Sequence, residues 1–170
     1  MGELTPHDRL QPALLDRLID HEPERRQESR ESRVVTKSGL REAVLRDLGW
    51  LFNSVRPGGV DALAGYDQVS HSVLNFGLPA LSGSTAGALD LLAVERNIRQ
   101  AIVDFEPRIL AQSLQVEALA PEALLDRHNV VSIRIRGQLW AQPVPLELLL
   151  RTDVDLETGA VDIRDLGKGA

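Results

Sequence analysis

The residues with the most distinctive chemistry are Glu106 and Arg108, set two positions apart by Pro107 in the run Phe105-Glu106-Pro107-Arg108. A carboxylate beside a guanidinium has two uses. It is a general acid if its pKa is raised, as glycoside hydrolysis requires of one of two carboxylates held about 5–10 Å apart. It is a structural ion pair if the two side chains meet, because a neighbouring cation lowers a carboxyl pKa and removes its value as an acid. The spacing favours the ion pair. With 25 acidic residues in the chain, a second carboxylate at hydrolase distance discriminates nothing. Other chemistries have less to work with. His7, His21, His71 and His128 are scattered without metal-site spacing, so no metal and no cofactor is expected. Cysteine and a Gly-x-Ser-x-Gly elbow are both absent, which leaves nucleophilic catalysis without a handle. Gly83-Ser84-Thr85-Ala86-Gly87 precedes a helical pattern as an anion cradle would, but it has no P-loop lysine and follows no convincing strand, so it reads as a connector.

The elements that must position Glu106 and Arg108 are legible on both sides. Leu91, Val94, Ile98, Ala101, Ile102 and Phe105 recur at three- and four-residue spacing and predict a buried helix ending near Phe105 or Glu106. Pro107 stops it, since proline lacks an N–H and biases the preceding residue away from helix. Ile109, Leu110, Leu114 and Val116 then predict a strand. Upstream, Leu40, Val44, Leu48, Leu51 and Phe52 predict an amphipathic helix over 38–53, with Ser38 as its expected N-cap. Arg56-Pro57-Gly58-Gly59 ends that helix in a turn. A shorter helix is expected over 66–74, with Val69, Val73 and Leu74 apolar. It is closed by Asn75-Phe76-Gly77, Gly77 as a left-handed C-terminal cap, and Pro79 prevents its resumption.

At the N-terminus, Leu14, Leu15, Leu18 and Ile19 give a short amphipathic helix, with Pro12 suited to its first turn. It is too short to stand alone in water and should dock, in cis or in trans. Residues 20–33 hold no large apolar side chain, so nothing offsets the entropy of ordering them. The expected organisation is therefore a flexible arm over 1–33 and one folded domain over 34–170.

After Pro121 the period changes to two. Val131, Ile133 and Ile135 alternate with Ser132, Arg134 and Arg136, and Gly137 is read as a bulge or turn. Pro143 and Pro145 interrupt. A strand restarts at Leu148 with Leu150, Val154 and Leu156, turns through Glu157-Thr158-Gly159, and returns with Val161 and Ile163. Helices first and strands last argue an α+β fold, with the helices packed on one face of a small, mostly antiparallel sheet that ends in a β-hairpin. If that hairpin lies at a sheet edge, its backbone is open to another chain. Asp153, Asp155, Glu157, Asp162 and Asp165 would then block unwanted pairing or select a basic partner.

Composition narrows the function classes. A net charge of −6 disfavours non-specific nucleic-acid binding. No apolar run approaches the roughly 20 residues of a membrane span, and no secretion signal is evident. The absence of cysteine fits a reducing compartment.

Taken in order, the motifs resemble the TssE family of type VI secretion baseplate subunits, which is related to phage-tail baseplate wedge proteins. The residues that carry the resemblance are 14–18, Val44-Leu45-Arg46-Asp47-Leu48-Gly49-Trp50-Leu51-Phe52-Asn53, Ser72-Val73-Leu74-Asn75-Phe76-Gly77-Leu78-Pro79, 98–109 with Glu106-Pro107-Arg108, and 151–159. Phe76 stands where tyrosine is frequent and Phe52 where leucine is frequent. The resemblance implies a structural, non-enzymatic part of a contractile injection machine, in a cytoplasmic bacterial baseplate docked at the membrane. It joins other wedge subunits and seeds the contractile sheath through shared edge strands. It ties Glu106, Pro107 and Arg108 to assembly. On this reading Leu14, Leu15 and Leu18 meet another baseplate subunit, and Val154, Leu156, Val161 and Ile163 meet the sheath. Asn75, Phe76, Gly77 and Pro79 are a structural motif. The competing expectation is a lysozyme-like, peptidoglycan-cleaving hydrolase with Glu106 as acid.

Overall fold

The computed structural model describes residues 13–19, 24, 35–57, 63, 65–81, 90–119, 129–141 and 143–167. The charged linker over 20–33, the domain boundary at 34, the Gly-Ser loop over 82–87 and His7, His21 and His128 fall outside these residues or nearly so. The helices are α1 (Leu14–Leu18), α2 (Lys37–Phe52), α3 (Asp67–Ser70) and α4 (Leu91–Phe105), and the strands are β1 (Gln115–Leu119), β2 (Val130–Leu139), β3 (Leu146–Asp155) and β4 (Val161–Asp165). The strands form one antiparallel meander in the order β1-β2-β3-β4. α4 packs over the β1 side of one face and α2 over the β4 side. This is the α+β architecture that the change of period predicts.

The core lies between that helical layer and the sheet. Val44, Leu48 and Leu51 of α2 and Val94, Ile98 and Ile102 of α4 meet Ile133, Ile135 and Leu139 of β2 and Leu148, Leu150 and Val154 of β3. The 3.6-residue stripes and the two-residue alternation thus face each other, and burial of these side chains is the main driving force for the layer packing.

Several local expectations differ. The α2 N-cap is Thr36, whose hydroxyl accepts the Gly39 N–H at 3.0 Å, and Ser38 already lies in the first turn. The stretch 66–74 is not one helix: after α3, a 3₁₀ turn covers Val73–Asn75, and Val73 and Leu74 are exposed. The Ser72 hydroxyl accepts the Leu74 N–H and donates to the Val69 carbonyl, a local alternative to helical hydrogen bonding. The strand expected from Ile109 begins only at Gln115. Ile109 makes an isolated bridge to Leu139, and a 3₁₀ turn at Ala111–Ser113 intervenes. Ser113 holds that turn, donating to the Leu110 carbonyl and accepting the Gln138 N–H. Gly137 is neither bulge nor turn. It pairs in register with Leu148, and a Cβ there would sit 3.4 Å from Ile109 Cγ2, so it makes room for the core side chain above it.

Gly77 does have the positive φ expected of it, +119°, but its constraint is tighter than a cap. A Cβ there would lie 2.3 Å from the Ser54 carbonyl oxygen. Leu78 N donates to that same oxygen and Arg56 N donates to Leu78, so the chain leaving α2 is zipped to the segment leading away from Asn75.

Thr152 is fully buried on the core side of β3, with its hydroxyl unpartnered. Thr152→Val, which keeps the shape and removes the unsatisfied group, is expected to raise the unfolding free energy by about 1 kcal/mol, read as a higher urea midpoint at unchanged m-value.

Candidate functional site

The corner between α4 and β1 is built from its last helical turn outward. Glu106 N–H still donates to Ile102 O, so the carboxylate leaves from the end of α4, and Ile109 N–H closes a turn onto Glu106 O. Arg108 O accepts Trp140 N–H and Leu110 N–H donates to Gln138 O, which pins the far side of the corner to the end of β2. Phe105 stands edge-on to Phe76, with ring centroids 5.2 Å apart. Asn75-Phe76-Gly77-Leu78-Pro79 therefore braces the helix end. Asn75 Nδ2 donates to Ser70 O, Phe76 takes the aromatic contact, Gly77 permits the close crossing, and Pro79 follows half-buried.

Glu106 is only 3% exposed. Arg108 donates to it three times: from Nε at 2.6 Å and from the backbone N–H at 3.2 Å to Oε1, and from Nη2 at 2.5 Å to Oε2. Arg108 Nη2 also reaches Asp47 Oδ2 on α2 at 2.6 Å. From Asp47 the chain of charges continues through Arg46 Nε at 2.8 Å and from Arg46 Nη1 to Asp16 of α1 at 2.6 Å. Burial disfavours the Arg108 guanidinium, but hydrogen bonds and charge from Glu106, then from Asp47, outweigh it and hold Arg108 well above its ordinary range. Arg46 is raised chiefly by its hydrogen bond to Asp47, against the opposing effect of burial.

The expected meeting of Glu106 and Arg108 is thus present, and the structure extends it to Asp47, Arg46 and Asp16. None of these three was singled out as a site residue. The available signal was Asp47 itself, a carboxylate beside Leu48 on the edge of the apolar stripe of α2. Both oxygens of Glu106 accept from Arg108, the arrangement of an ion pair. Among the described residues no group of three or more His, Asp or Glu side chains is placed to hold a metal.

Beside the corner lies an open groove of about 610 Å³, whose walls include Leu15, Trp50, Phe76, Phe105 and Pro107. α1 sits on it in cis. Leu14 and Leu18 face solvent at 74% and 73% exposure, while Leu15 faces the groove.

The hairpin differs from expectation in one respect: β3 is interior, and only β4 is an edge. Val154 and Leu156 are buried in the core, Val161 is nearly as buried, and Ile163 is half-buried. The outward N–H and C=O of Val161 are both taken by the side-chain amide of Asn53, at 2.9 and 3.0 Å. By antiparallel alternation the next outward-facing backbone groups are those of Ile163 and Asp165. At the opposite edge, Glu95 of α4 accepts the Ala118 N–H of β1 at 2.7 Å. Each edge is thus partly covered by one helix side chain, a device against uncontrolled strand pairing.

The hairpin acids are likewise engaged within the chain. Asp165 pairs with Arg41, Asp162 with Arg164, Asp155 accepts the N–H groups of Glu157 and Thr158, and Glu157 accepts from Asn129. Asp153 accepts from Ser132 at 2.6 Å and Arg151 at 3.1 Å. Gly159 has the positive φ, +76°, that this turn requires.

Fold and corner together define a small α+β module whose polar centre ties two helices to a sheet. The chain belongs to the baseplate wedge protein gp25 family, whose model matches residues 38–144, from α2 to just past β2 and including the corner. That family also holds the TssE subunits and is a family of structural proteins, not of enzymes. No curated protein and no solved structure matches the chain. Among the described residues no helix is long and apolar enough to cross a membrane.

Arg108→Ala leaves the buried Glu106 carboxylate unpaired and is expected to cost about 3–5 kcal/mol. The double change Glu106→Ala with Arg108→Ala removes both charges and should cost less than that single change, a non-additivity read from urea unfolding of the two variants. Burial works against the Asp153 carboxylate, but hydrogen bonds from Ser132 and Arg151 and the charges of Arg151 and Arg164 prevail and lower its pKa below the ordinary 3.8. Its contribution is therefore present above that value and lost as pH falls through the lower folded-state pKa. Asp153→Asn should make the acid-side decline in thermal midpoint shallower, with the plateau above pH 5 lowered.

Proposed function

We propose that this protein is a wedge subunit of a type VI secretion baseplate, that it joins neighbouring wedge subunits, and that it nucleates the contractile sheath. Its place of work is then the bacterial cytoplasm, on a baseplate docked at the membrane. The observation that carries the reading is the corner. Glu106 is buried and accepts from Arg108 at both oxygens, which suits a rigid shape for assembly better than proton transfer. Family membership supports the baseplate setting. The open edge of β4 supports strand addition by a sheath subunit, now narrowed to residues 163–165, with Asn53 as the side chain that an incoming strand replaces at Val161. Leu14 and Leu18 remain available to a further baseplate subunit.

The test is sheath assembly in cells. Glu106→Ala with Arg108→Ala is expected to abolish sheath formation while the purified protein keeps its circular dichroism spectrum. Ile163→Pro removes an N–H that faces away from β3 together with a half-buried side chain, so it should lower the thermal midpoint while the purified protein keeps its circular dichroism spectrum, and it should abolish sheaths. Normal sheaths with the double alanine variant would overturn the assembly role of the corner. Peptidoglycan cleavage that disappears in Glu106→Gln would replace it with a hydrolase.

A further inference from the structure

Four buried side-chain polar atoms among the described residues have no hydrogen-bond partner, and two of them belong to residues that wall the same cleft. The cleft has a volume of about 130 Å³ and lies between the later turns of α4 and the turn that carries Asn75. The two atoms are Arg56 Nε, a donor, and Asn75 Oδ1, an acceptor. Asn75 is 7% exposed, and its Nδ2 donates to Ser70 O at 2.9 Å, which fixes the amide so that its oxygen is the unmatched end. Arg56 N–H donates to Leu78 O and anchors the backbone, while Arg56 Nη2 lies 3.5 Å from Asn97 Oδ1, at the limit of a hydrogen bond. Other polar groups of the wall are engaged. Asp104 accepts from Gln100 Nε2 at 2.8 Å and pairs with His71 Nδ1 at 3.0 Å, and Ser70 Oγ donates to Asp67 O. The cleft thus presents an unmatched donor and an unmatched acceptor on a frame of committed side chains.

An occupant that answers both is neutral and carries an acceptor beside a donor. A carboxylate offers acceptors alone and would face Asn75 Oδ1 and Asp104. An ammonium offers donors alone and would face the Arg56 guanidinium. A primary carboxamide meets both, its C=O accepting from Arg56 Nε and its NH₂ donating to Asn75 Oδ1. One bridging water has the same two functions, but its share of volume, about 30 Å³, leaves most of the cleft unfilled. We propose that this cleft is a recognition pocket for the side-chain carboxamide of an asparagine or glutamine on a neighbouring protein. Val73 and Leu74, which lie between the wall residues His71 and Asn75 in the chain, are 79% and 69% exposed. An exposed apolar pair beside a polar pocket is covered by a protein neighbour and left bare by a free amide. That the neighbour is a wedge subunit rests on the function proposed above; the chemistry of the pocket does not.

The test is a titration of isotopically labelled full-length protein with acetamide, and separately with acetate and with methylammonium, followed by nuclear magnetic resonance. The signals of Arg56 Nε–H and of the Asn75 side-chain amide should shift saturably with acetamide and not with the two ions. Arg56→Met should weaken the acetamide affinity read at Asn75 by at least about tenfold, the loss of one hydrogen bond from a charged donor. Arg56→Lys, which keeps the charge without the Nε–H, should behave like Arg56→Met. Absence of saturation means hydration alone and overturns the pocket, and equal shifts with acetate overturn its choice of a carboxamide. Should Arg56→Met lose its dispersed spectrum, the three probes on the unaltered protein decide. Pull-down of co-expressed wedge subunits should fall about tenfold in Arg56→Met. Saturable acetamide binding with that pull-down unchanged overturns the wedge neighbour as the source of the carboxamide. If the unaltered protein pulls down no wedge subunit, the function proposed above is what fails, and the titration still decides the pocket.

Discussion

The position of Arg108 between two carboxylates is the constraint on which the rest of the molecule turns. Its partners come from different helices, Glu106 from the end of α4 and Asp47 from the middle of α2. One guanidinium therefore fixes the relative placement of both helices over the sheet at the point where the chain passes from helix to strand. An apolar contact between α2 and α4 permits sliding. A fork of charged hydrogen bonds at 2.5–2.6 Å has one geometry. The desolvation cost of burying Glu106 makes this arrangement a poor source of net stability but a strict one, since any misplacement leaves the buried Glu106 charge unpaired.

Separate stretches of sequence serve that single point. α2 contributes Asp47. The Asn75-to-Pro79 segment contributes Phe76, whose ring braces Phe105 one residue before Glu106, and it does so from a backbone that only glycine at position 77 allows to cross Ser54 so closely. The return strand β2 contributes Trp140 N–H to the Arg108 carbonyl. The order of these motifs along the chain had no evident reason as a linear pattern. In space it is one convergence.

The layers were legible because periodicity reports them directly: the stripes of α2 and α4 and the alternation of β2 are consequences of having one buried face. The Glu106–Arg108 pair was legible because proline left the two side chains little freedom to avoid each other. The rest depended on long-range partners. Nothing in the local sequence tells that Asp47 faces Arg108, 61 residues away, or that Asn53 crosses 108 residues to cap the backbone of Val161. The misread stretches have a common cause as well. Ser72 and Ser113 each bond to nearby backbone and convert an expected helix or strand into a 3₁₀ turn, a competition that apolar periodicity does not register. Reading β3 as an edge failed for another reason: alternation shows that a strand has a buried face but not how many neighbours flank it.

The two edges of the sheet bear on how such a module avoids premature pairing. Asn53 presents a carbonyl and an amide N–H to Val161 in the manner of a one-residue strand, and Glu95 takes the donor of Ala118 at the other edge. Neither cap is covalent or extensive, and each engages only one residue of its strand. The edges are therefore protected against chance encounters, which offer few hydrogen bonds, but not against a partner strand whose longer ladder outcompetes a single side chain. A one-residue cap at each end of the meander thus sets a threshold on the length of strand that can add there, and it does so with side chains that the helices already hold in place.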